Sequence, residues 1–229
     1  DGQAHGAKLN AKGEIEVNTS YTITNLAEGH SVQTVAIAGS ETNVGVYANE
    51  LVPSDAIIVD GEGNNVTANY AITYVPGTLT ITKNEKAITV TANSHTWEYD
   101  GQPHSDGGYK VEYDGKTYTA AAGESVELPT GDVVTATIEG TVTNVVDSAD
   151  DNNKVAGVTI TKNGEDRKEQ YKNIAYVSGA LKITARGAGE DKVELTAADN
   201  TVVYDGQAHG AKLNAKGEIE VNTSYTITN

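Results

Sequence analysis

Histidines are the first residues of this sequence to test for chemistry, because imidazole is a common metal ligand. Five are present: His5, His30, His95, His104 and His209. Three of them occupy one repeated position after Asp-Gly-Gln, with no second histidine at a zinc-ligand spacing and no HExxH motif. We interpret these three as histidines that pack in a turn, and the sequence predicts no metal site.

Acidic side chains offer a second kind of metal chemistry. The stretch Asp147-Ser148-Ala149-Asp150-Asp151-Asn152-Asn153 clusters oxygen ligands that calcium prefers, but it lacks the EF-hand spacing and its terminal glutamate. Charge-rich loops are usually solvated, so we predict a solvated loop and no cofactor, with a bound calcium ion as the alternative.

The sequence lacks the motifs of the common nucleophilic active sites. There is no cysteine, and no G-x-S-x-G turn precedes a helix. The glycine-containing stretch from Gly61 to Asn65 is too acidic and too poorly placed to cradle a phosphate. The sequence therefore predicts that the protein is not an enzyme and has no catalytic or cofactor-binding residues.

Aromatic side chains could form a sugar-stacking platform, since the chain has 12 tyrosines and one tryptophan. Tyr70, Tyr74 and Tyr176 stand at alternating strand positions, which favours core packing with the hydroxyl at the rim. Trp97 is expected to anchor a core on an early strand.

Repetition indicates which elements must position these residues. Residues 205–229 repeat residues 1–25 letter for letter, a shift of 204, and Tyr99 to His104 matches Tyr204 to His209 at a shift of 105. The chain is thus part of a tandem array, which calls for an architectural explanation before a chemical one.

The composition predicts an all-β fold. Valine, isoleucine, threonine and tyrosine fit a pleated, half-buried surface, and the chain also has 24 glycines. We expect tandem β-sandwich repeats, which the resemblance described below implies to be Ig-like, with mostly-β units of the β-grasp kind as the alternative. The strands expected in the first repeat and in its later copy are 14–17, 21–24, 31–38, 44–47, 56–59, 70–75, 78–82, 193–196 and 201–204.

The repeats set the predicted domains. Residues 1–83 form a repeat that lacks its opening strand, residues 84–186 form a second repeat, and residues 187–229 begin another copy of the first. The short polar joint near Lys83 to Lys86 is expected to be stiff. The glycines of Arg186 to Glu190 are expected to make the next joint looser.

Charge and hydropathy limit the partners. With 32 acidic and 16 basic side chains the net charge is −16, which disfavours nucleic acid and anionic lipid. No apolar run approaches the roughly 20 residues of a membrane span. No signal peptide begins the chain, so we expect any export signal or anchor to lie outside these residues.

Three motifs carry a resemblance to a known family. They are the YDGQ[AP]H turn, a G-x-x-TNV segment at Gly39 to Val44 and again at Gly140 to Val145, and the ending Asn69 to Thr82. Together they resemble the MBG-type repeats and other Ig-like stalk modules of bacterial surface proteins. The resemblance implies a large exported protein, often an adhesin, in which such repeats act as spacers without catalytic residues. Departures are Ser178 in place of Pro76, and Val145-Val146 in place of Val44-Gly45.

These observations predict a non-catalytic structural module of an extracellular bacterial stalk or fibrous surface protein. Its expected partners are neighbouring repeats of the same or an adjacent chain, including a homopolymer. One alternative is a self-assembling filament in which residues 191–204 of one chain complete the first repeat of the next by strand addition. Another is a carbohydrate-binding module of a secreted enzyme.

Overall fold

The protein is all-β. In the computed structural model, which describes residues 1–187 and 192–228, about 45% of the chain is strand and 4% is helix. This confirms the predicted fold class at that level. Within the described residues, no helix is long and apolar enough to cross a bilayer.

Fifteen strands and three single turns of 3₁₀ helix are described. The strands are β1 Ser31–Ala38, β2 Gly45–Val59, β3 Gly77–Ile81, β4 Ile88–Ala92, β5 His95–Glu98, β6 Tyr109–Tyr113, β7 Lys116–Ala120, β8 Val126–Glu127, β9 Val133–Glu139, β10 Ala149–Lys162, β11 Glu165–Asp166, β12 Ile174–Val177, β13 Gly179–Thr184, β14 Glu194–Ala197 and β15 Tyr225–Thr228. The 3₁₀ turns are Thr67–Asn69, Val145–Asp147 and Lys168–Gln170.

The first repeat contributes an antiparallel sheet of three strands in the order β1-β2-β3. Ser31 pairs with Val59, and Gly45 pairs with Ile81. Its buried apolar side chains are few: Ala56, Ile58, Val59 and Leu79. The first repeat therefore has a thin core.

The second repeat is built from two larger sheets. One has the order β5-β13-β10-β9-β8, with β11 paired to β10, and the other has the order β12-β4-β6-β7. Burial alternates along β4 and β6, as the period of two in a strand requires. Its largest fully buried side chains are Ile88, Val90, Tyr109, Val111, Val134, Val142, Asn153, Ile160 and Leu181.

Residues after 192 form a small antiparallel sheet of two strands. Glu194 pairs with Thr228 and Ala197 pairs with Tyr225. All four residues of β14 are exposed, so this sheet covers little apolar surface.

Contacts group the chain into two compact units. One comprises Asp1–Val90, Lys110–Ala136 and Gly157–Tyr176, and the other comprises Thr91–Tyr109, Thr137–Ala156 and Val177–Asn229. The repeat limits 1–83, 84–186 and 187–229 remain predictions from the sequence. The predicted looser joint falls largely on residues 188–190, which lie outside the described residues.

Several predicted strands are wrong. Residues 14–17, 21–24, 70–75 and 201–204 form no strand in the structure, apart from an isolated bridge between Val17 and Tyr21. A β pattern becomes a strand only where a partner strand takes its backbone hydrogen bonds. The strands predicted at 31–38, 78–82 and 193–196 are present within one or two residues as β1, β3 and β14. Those predicted at 44–47 and 56–59 are parts of one continuous strand, β2, so the break predicted between them is wrong.

Candidate functional site

The YDGQxH motif builds the same local turn three times. In each copy the aspartate Oδ1 accepts the backbone N–H of the glutamine and contacts Nε2 of the histidine, at 2.8 Å for Asp1 and His5. The corresponding distances are 3.0 Å for Asp100 and His104 and 2.8 Å for Asp205 and His209. The histidines pack in their turn, as predicted.

The backbone after β3 is the candidate functional site, because it joins the first repeat to the second. The Asn84 N–H donates to the carbonyl oxygen of Gln170 at 2.8 Å, and the Lys172 N–H donates to the carbonyl oxygen of Asn84 at 3.0 Å. The Asn84 side-chain amide donates to the Tyr113 hydroxyl at 2.9 Å. Asn84 belongs to the short joint predicted to be stiff. Its backbone N–H and its carbonyl oxygen both hydrogen-bond to the second repeat.

Ion pairs surround this joint. Lys83 Nζ lies 2.8 Å from Glu169 Oε2, and Lys86 Nζ lies 2.5 Å from Asp114 Oδ2. The bond to Lys83 lowers the pKa of Glu169, and the bond to Asp114 raises the pKa of Lys86. These pairs are exposed, so they stabilise the joint little.

Lys162 makes the longest-range contact of the junction. Its ammonium donates to the carbonyl oxygens of Gly2, at 2.9 Å, and of Thr130, at 2.8 Å. Gly2 has φ +75°, and a Cβ at that position would lie 2.2 Å from the Thr130 carbonyl oxygen. Only glycine therefore allows the first repeat to approach Thr130 this closely.

Two further side chains of the second repeat hold residues 43 and 44. The Arg167 guanidinium donates to the Asn43 side-chain oxygen, and the Gln170 side-chain oxygen accepts the Val44 N–H at 2.6 Å. Arg167 also pairs with Glu165 at 2.8 Å. Asn43 and Val44 belong to the G-x-x-TNV motif, so this motif lies at the junction in the first repeat.

A buried polar triad lies beside these contacts. The Tyr171 hydroxyl donates to Asp132 Oδ2 at 2.5 Å, and the Thr130 hydroxyl lies 2.9 Å from the same oxygen. Burial, followed by the bond to Asp132, raises the pKa of Tyr171 far above its ordinary value. The tyrosine stays protonated and serves as a fixed hydrogen-bond donor, which is a structural role.

These residues line a cavity of ≈ 650 Å³. Its lining residues include Lys162, Tyr171, Leu79 and Ile81. Its polar groups hydrogen-bond to one another and thereby join two segments of the chain.

The predicted solvated loop at 147–153 is wrong for residues 149–153, which begin β10, and side chains of the stretch contact different protein groups. Asp147 Oδ2 accepts the Asn144 N–H at 2.8 Å and caps the turn Val145–Asp147, while Asp150 pairs with Lys182 at 2.6 Å. Asn152 binds the backbone of Leu181 through both its oxygen and its nitrogen. In the described part of the chain, no group of three or more histidine, aspartate or glutamate side chains is arranged to hold a metal ion.

The aromatic residues are placed differently from the prediction. Tyr74 and Tyr176 are exposed, so the expected core packing is wrong for them, and the buried tyrosines are Tyr109, Tyr113 and Tyr171. The Tyr74 hydroxyl accepts the Ala56 N–H at 2.9 Å. Tyr176 lies on β12, which pairs with β4, so strand pairing by itself does not bury a tyrosine.

Trp97 packs against a buried apolar cluster and also carries a ring stack that the sequence analysis missed. The cluster is Val142, Leu181 and Ile183. The rings of His95 and Trp97 stack at 4.2 Å, and those of Trp97 and His104 stack at 5.0 Å. Two imidazoles thus already stack on the indole. The alternation of His95 and Trp97 along one strand face was the signal that could have revealed half of this stack.

Comparisons of the chain with protein-family models, with curated proteins and with solved structures found no match.

Proposed function

We propose that this chain is a non-catalytic spacer module of an extracellular bacterial stalk or fibrous surface protein. Its repeats are proposed to be Ig-like sandwiches. The two larger sheets of the second repeat support a sandwich. A β-grasp unit is less well supported, since the helices described are single 3₁₀ turns.

The junction is the observation that carries this proposal. A spacer must transmit length and direction from one repeat to the next, and this requires noncovalent connections at the joint in addition to the covalent chain. The Asn84 backbone bonds, the contacts of Lys162 with Gly2 and Thr130, and the bond from Arg167 to Asn43 supply such connections.

The acidic composition supports the same role. A net charge of −16 makes repeats repel one another and keeps them soluble at high local density. A stalk without cysteine needs no oxidative folding and relies on β packing and polar junctions. Neighbouring repeats are the proposed partners.

Pulling the chain by its ends in a force spectrometer tests the proposal. A spacer is expected to resist force and to release the second repeat in one step. That repeat spans 186 − 84 + 1 = 103 residues, so its extended length is about 350 Å. Replacing Lys162 and Arg167 by alanine is expected to lower the force of the first event. The same change at exposed Lys12 and Lys216 is the control. A chain that extends without discrete steps would contradict the spacer role.

A further inference from the structure

Two imidazole rings of the second repeat stack on one indole. Trp97 and His95 stand two positions apart on β5, so their side chains share one face of the strand. Their ring centroids lie 4.2 Å apart, and the ring planes differ by 6°. The ring of His104 also stacks on the indole, with centroids 5.0 Å apart and planes that differ by 17°. One indole therefore offers its π system to two titratable rings.

Each of these imidazoles also has a carboxylate beside it. His104 Nε2 lies 3.0 Å from Asp100 Oδ1, and His95 Nδ1 lies 3.5 Å from Asp106 Oδ2. The Gly108 N–H donates to the other oxygen of Asp106 at 2.9 Å and holds that carboxylate in place. The side chains of His104 and Asp106 are each 21% exposed, so solvent screens their charges less than those of a surface pair. Both neighbours of each imidazole, the π face and the anion, attract a positive charge.

The other charged side chains on the neighbouring elements have positions or partners of their own. They are Glu98, Asp147, Lys182 and Arg186. Glu98 accepts a backbone N–H at 3.1 Å, and Asp147 caps the turn at 145–147. Lys182 pairs with Asp150 at 2.6 Å, and Arg186 is exposed after the end of β13. Segment 140–146 contains no charged residue. Asp100 and Asp106 are thus the charged groups that contact the two histidines.

The ring stack connects separate segments of the second repeat. Trp97 packs against the buried side chains of Val142, Leu181 and Ile183. Its strand, β5, pairs in parallel with β13, where Ile183 lies opposite Trp97. The backbone of His104 exchanges two hydrogen bonds with that of Val142, at 2.8 and 3.0 Å. Any change in the strength of the stack therefore acts on β5, on β13 and on the turn that carries His104.

The same turn occurs elsewhere in the chain without the indole. Asp205 and His209 make the same contact between Oδ1 and Nε2, at 2.8 Å. At the shift of 105, valine takes the position of Trp97 and asparagine takes the position of His95. The turn therefore needs neither ring, and the two aromatic residues add a property that belongs to the second repeat.

We propose that the stack of His95, Trp97 and His104 is a fastener of the second repeat that acid strengthens. This inference goes beyond the spacer role and does not depend on it. Protonation of an imidazole places a cation on the indole face, an attraction that the neutral ring lacks. The unfolded chain has no such contact, so the folded state gains more from protonation than the unfolded state does. The contribution of the stack to stability is therefore largest at acid pH and declines as pH rises through about 6.5, where histidine titrates.

Urea unfolding of the full chain at pH 8 and at pH 5.5, followed by the fluorescence of its single tryptophan, tests the proposal. The unaltered chain is compared with a double variant, His95→Gln with His104→Gln, because glutamine can donate a hydrogen bond but cannot become charged. We expect the ratio of the two unfolding equilibrium constants to grow by at least about fivefold between pH 8 and pH 5.5. The control is His209→Gln, which removes an Asp–His pair without an indole and is expected to change that ratio by less than about twofold.

Two further measurements separate the indole from the carboxylates. A protonated imidazole quenches an indole on which it stacks, so the emission of Trp97 in the folded chain is expected to fall between pH 8 and pH 5.5. In a Trp97→Leu background, followed by circular dichroism, the effect of the two His→Gln changes is expected to become nearly independent of pH.

Three results would overturn the proposal. They are an emission of Trp97 that does not change with pH in the folded chain, an effect of the double variant that is equal at both pH values, and a pH-dependent effect that persists in full without the indole. Failure of the spacer role would appear in the force measurement and would leave these titrations unchanged.

Discussion

The Lys162 ammonium lies 2.9 Å from the carbonyl oxygen of Gly2, a residue 160 positions earlier in the chain. The same ammonium lies 2.8 Å from the carbonyl oxygen of Thr130. One cation thus bridges two backbone segments of different repeats. Because a carbonyl oxygen carries only a partial charge, the contact depends on close backbone approach, and Gly2 provides it.

Gly2→Ala is therefore expected to destabilise the junction. The added Cβ would lie 2.2 Å from the Thr130 carbonyl oxygen, on a residue with φ +75°. We expect a loss of about 2 kcal/mol in the free energy of unfolding, measured with urea. Gly13→Ala is the control, because Gly13 has φ +81° but meets no atom within 4 Å. An equal loss for both variants would show that backbone strain alone, and not the approach to Thr130, explains the effect.

Tyr171→Phe tests the buried triad. The change removes the donor that lies 2.5 Å from the buried Asp132 carboxylate and leaves Thr130 as its side-chain partner. We expect a loss of about 1–3 kcal/mol in urea at neutral pH. Tyr118→Phe, at a half-buried position on β7, is the matched control and is expected to cost much less.

The raised pKa of Tyr171 should affect how the stability of the protein changes at alkaline pH. The pKa of Tyr171 is raised from its ordinary value of 10.0, chiefly by burial, so the folded state keeps a proton that the unfolded state loses. Its contribution to stability is complete below pH 10 and declines as pH rises above that value. We expect the stability of Tyr171→Phe to fall less steeply between pH 10 and 11 than that of the unaltered chain. Parallel curves would contradict this assignment.

Asp147 should govern part of the acid sensitivity of the second repeat. The backbone N–H groups of Asn144 and Thr143 lower its pKa below 3.8. A lowered pKa gives stability that is present above 3.8 and is lost as pH falls through the folded-state value. Asp147→Asn removes this titration, so the slope of stability against pH below 4 is expected to be shallower. An unchanged slope, measured by urea unfolding, would count against the cap.

Asn153 is fully buried and holds two loops of the second repeat. Its side-chain nitrogen donates to the carbonyl oxygens of Asn93, at 2.8 Å, and Asp106, at 2.9 Å. Asn153→Ala leaves two partly buried acceptors without this donor, and we expect a loss of about 1–3 kcal/mol in urea. Asp151→Ala, two positions earlier and exposed, is expected to change stability by less than about 0.5 kcal/mol.

The sequence predicted the all-β class and the repeated turn, because both depend on local patterns. Asp100 and His104 lie four positions apart, so their contact follows from one short motif. By contrast, residues 70–75 carry a strand pattern and yet form no strand, since pairing depends on a segment distant in sequence. Lys162 also lacks a local signal, because its partner Gly2 is 160 positions away.

The central claim is that the first two repeats are held in one fixed arrangement by polar contacts at their junction. The chain has no cysteine, so spin labels attach only at introduced ones. Labels at Val46→Cys and Thr117→Cys, both at exposed positions, report the distance between the repeats by pulsed electron resonance. We predict a single narrow distance distribution, which broadens when Lys162 and Arg167 are both replaced by alanine and stays narrow when Lys12 and Lys216 are replaced instead. Two results would contradict the claim. One is a broad distance distribution when Lys162 and Arg167 are present, and the other is a distribution that does not change when both are replaced by alanine.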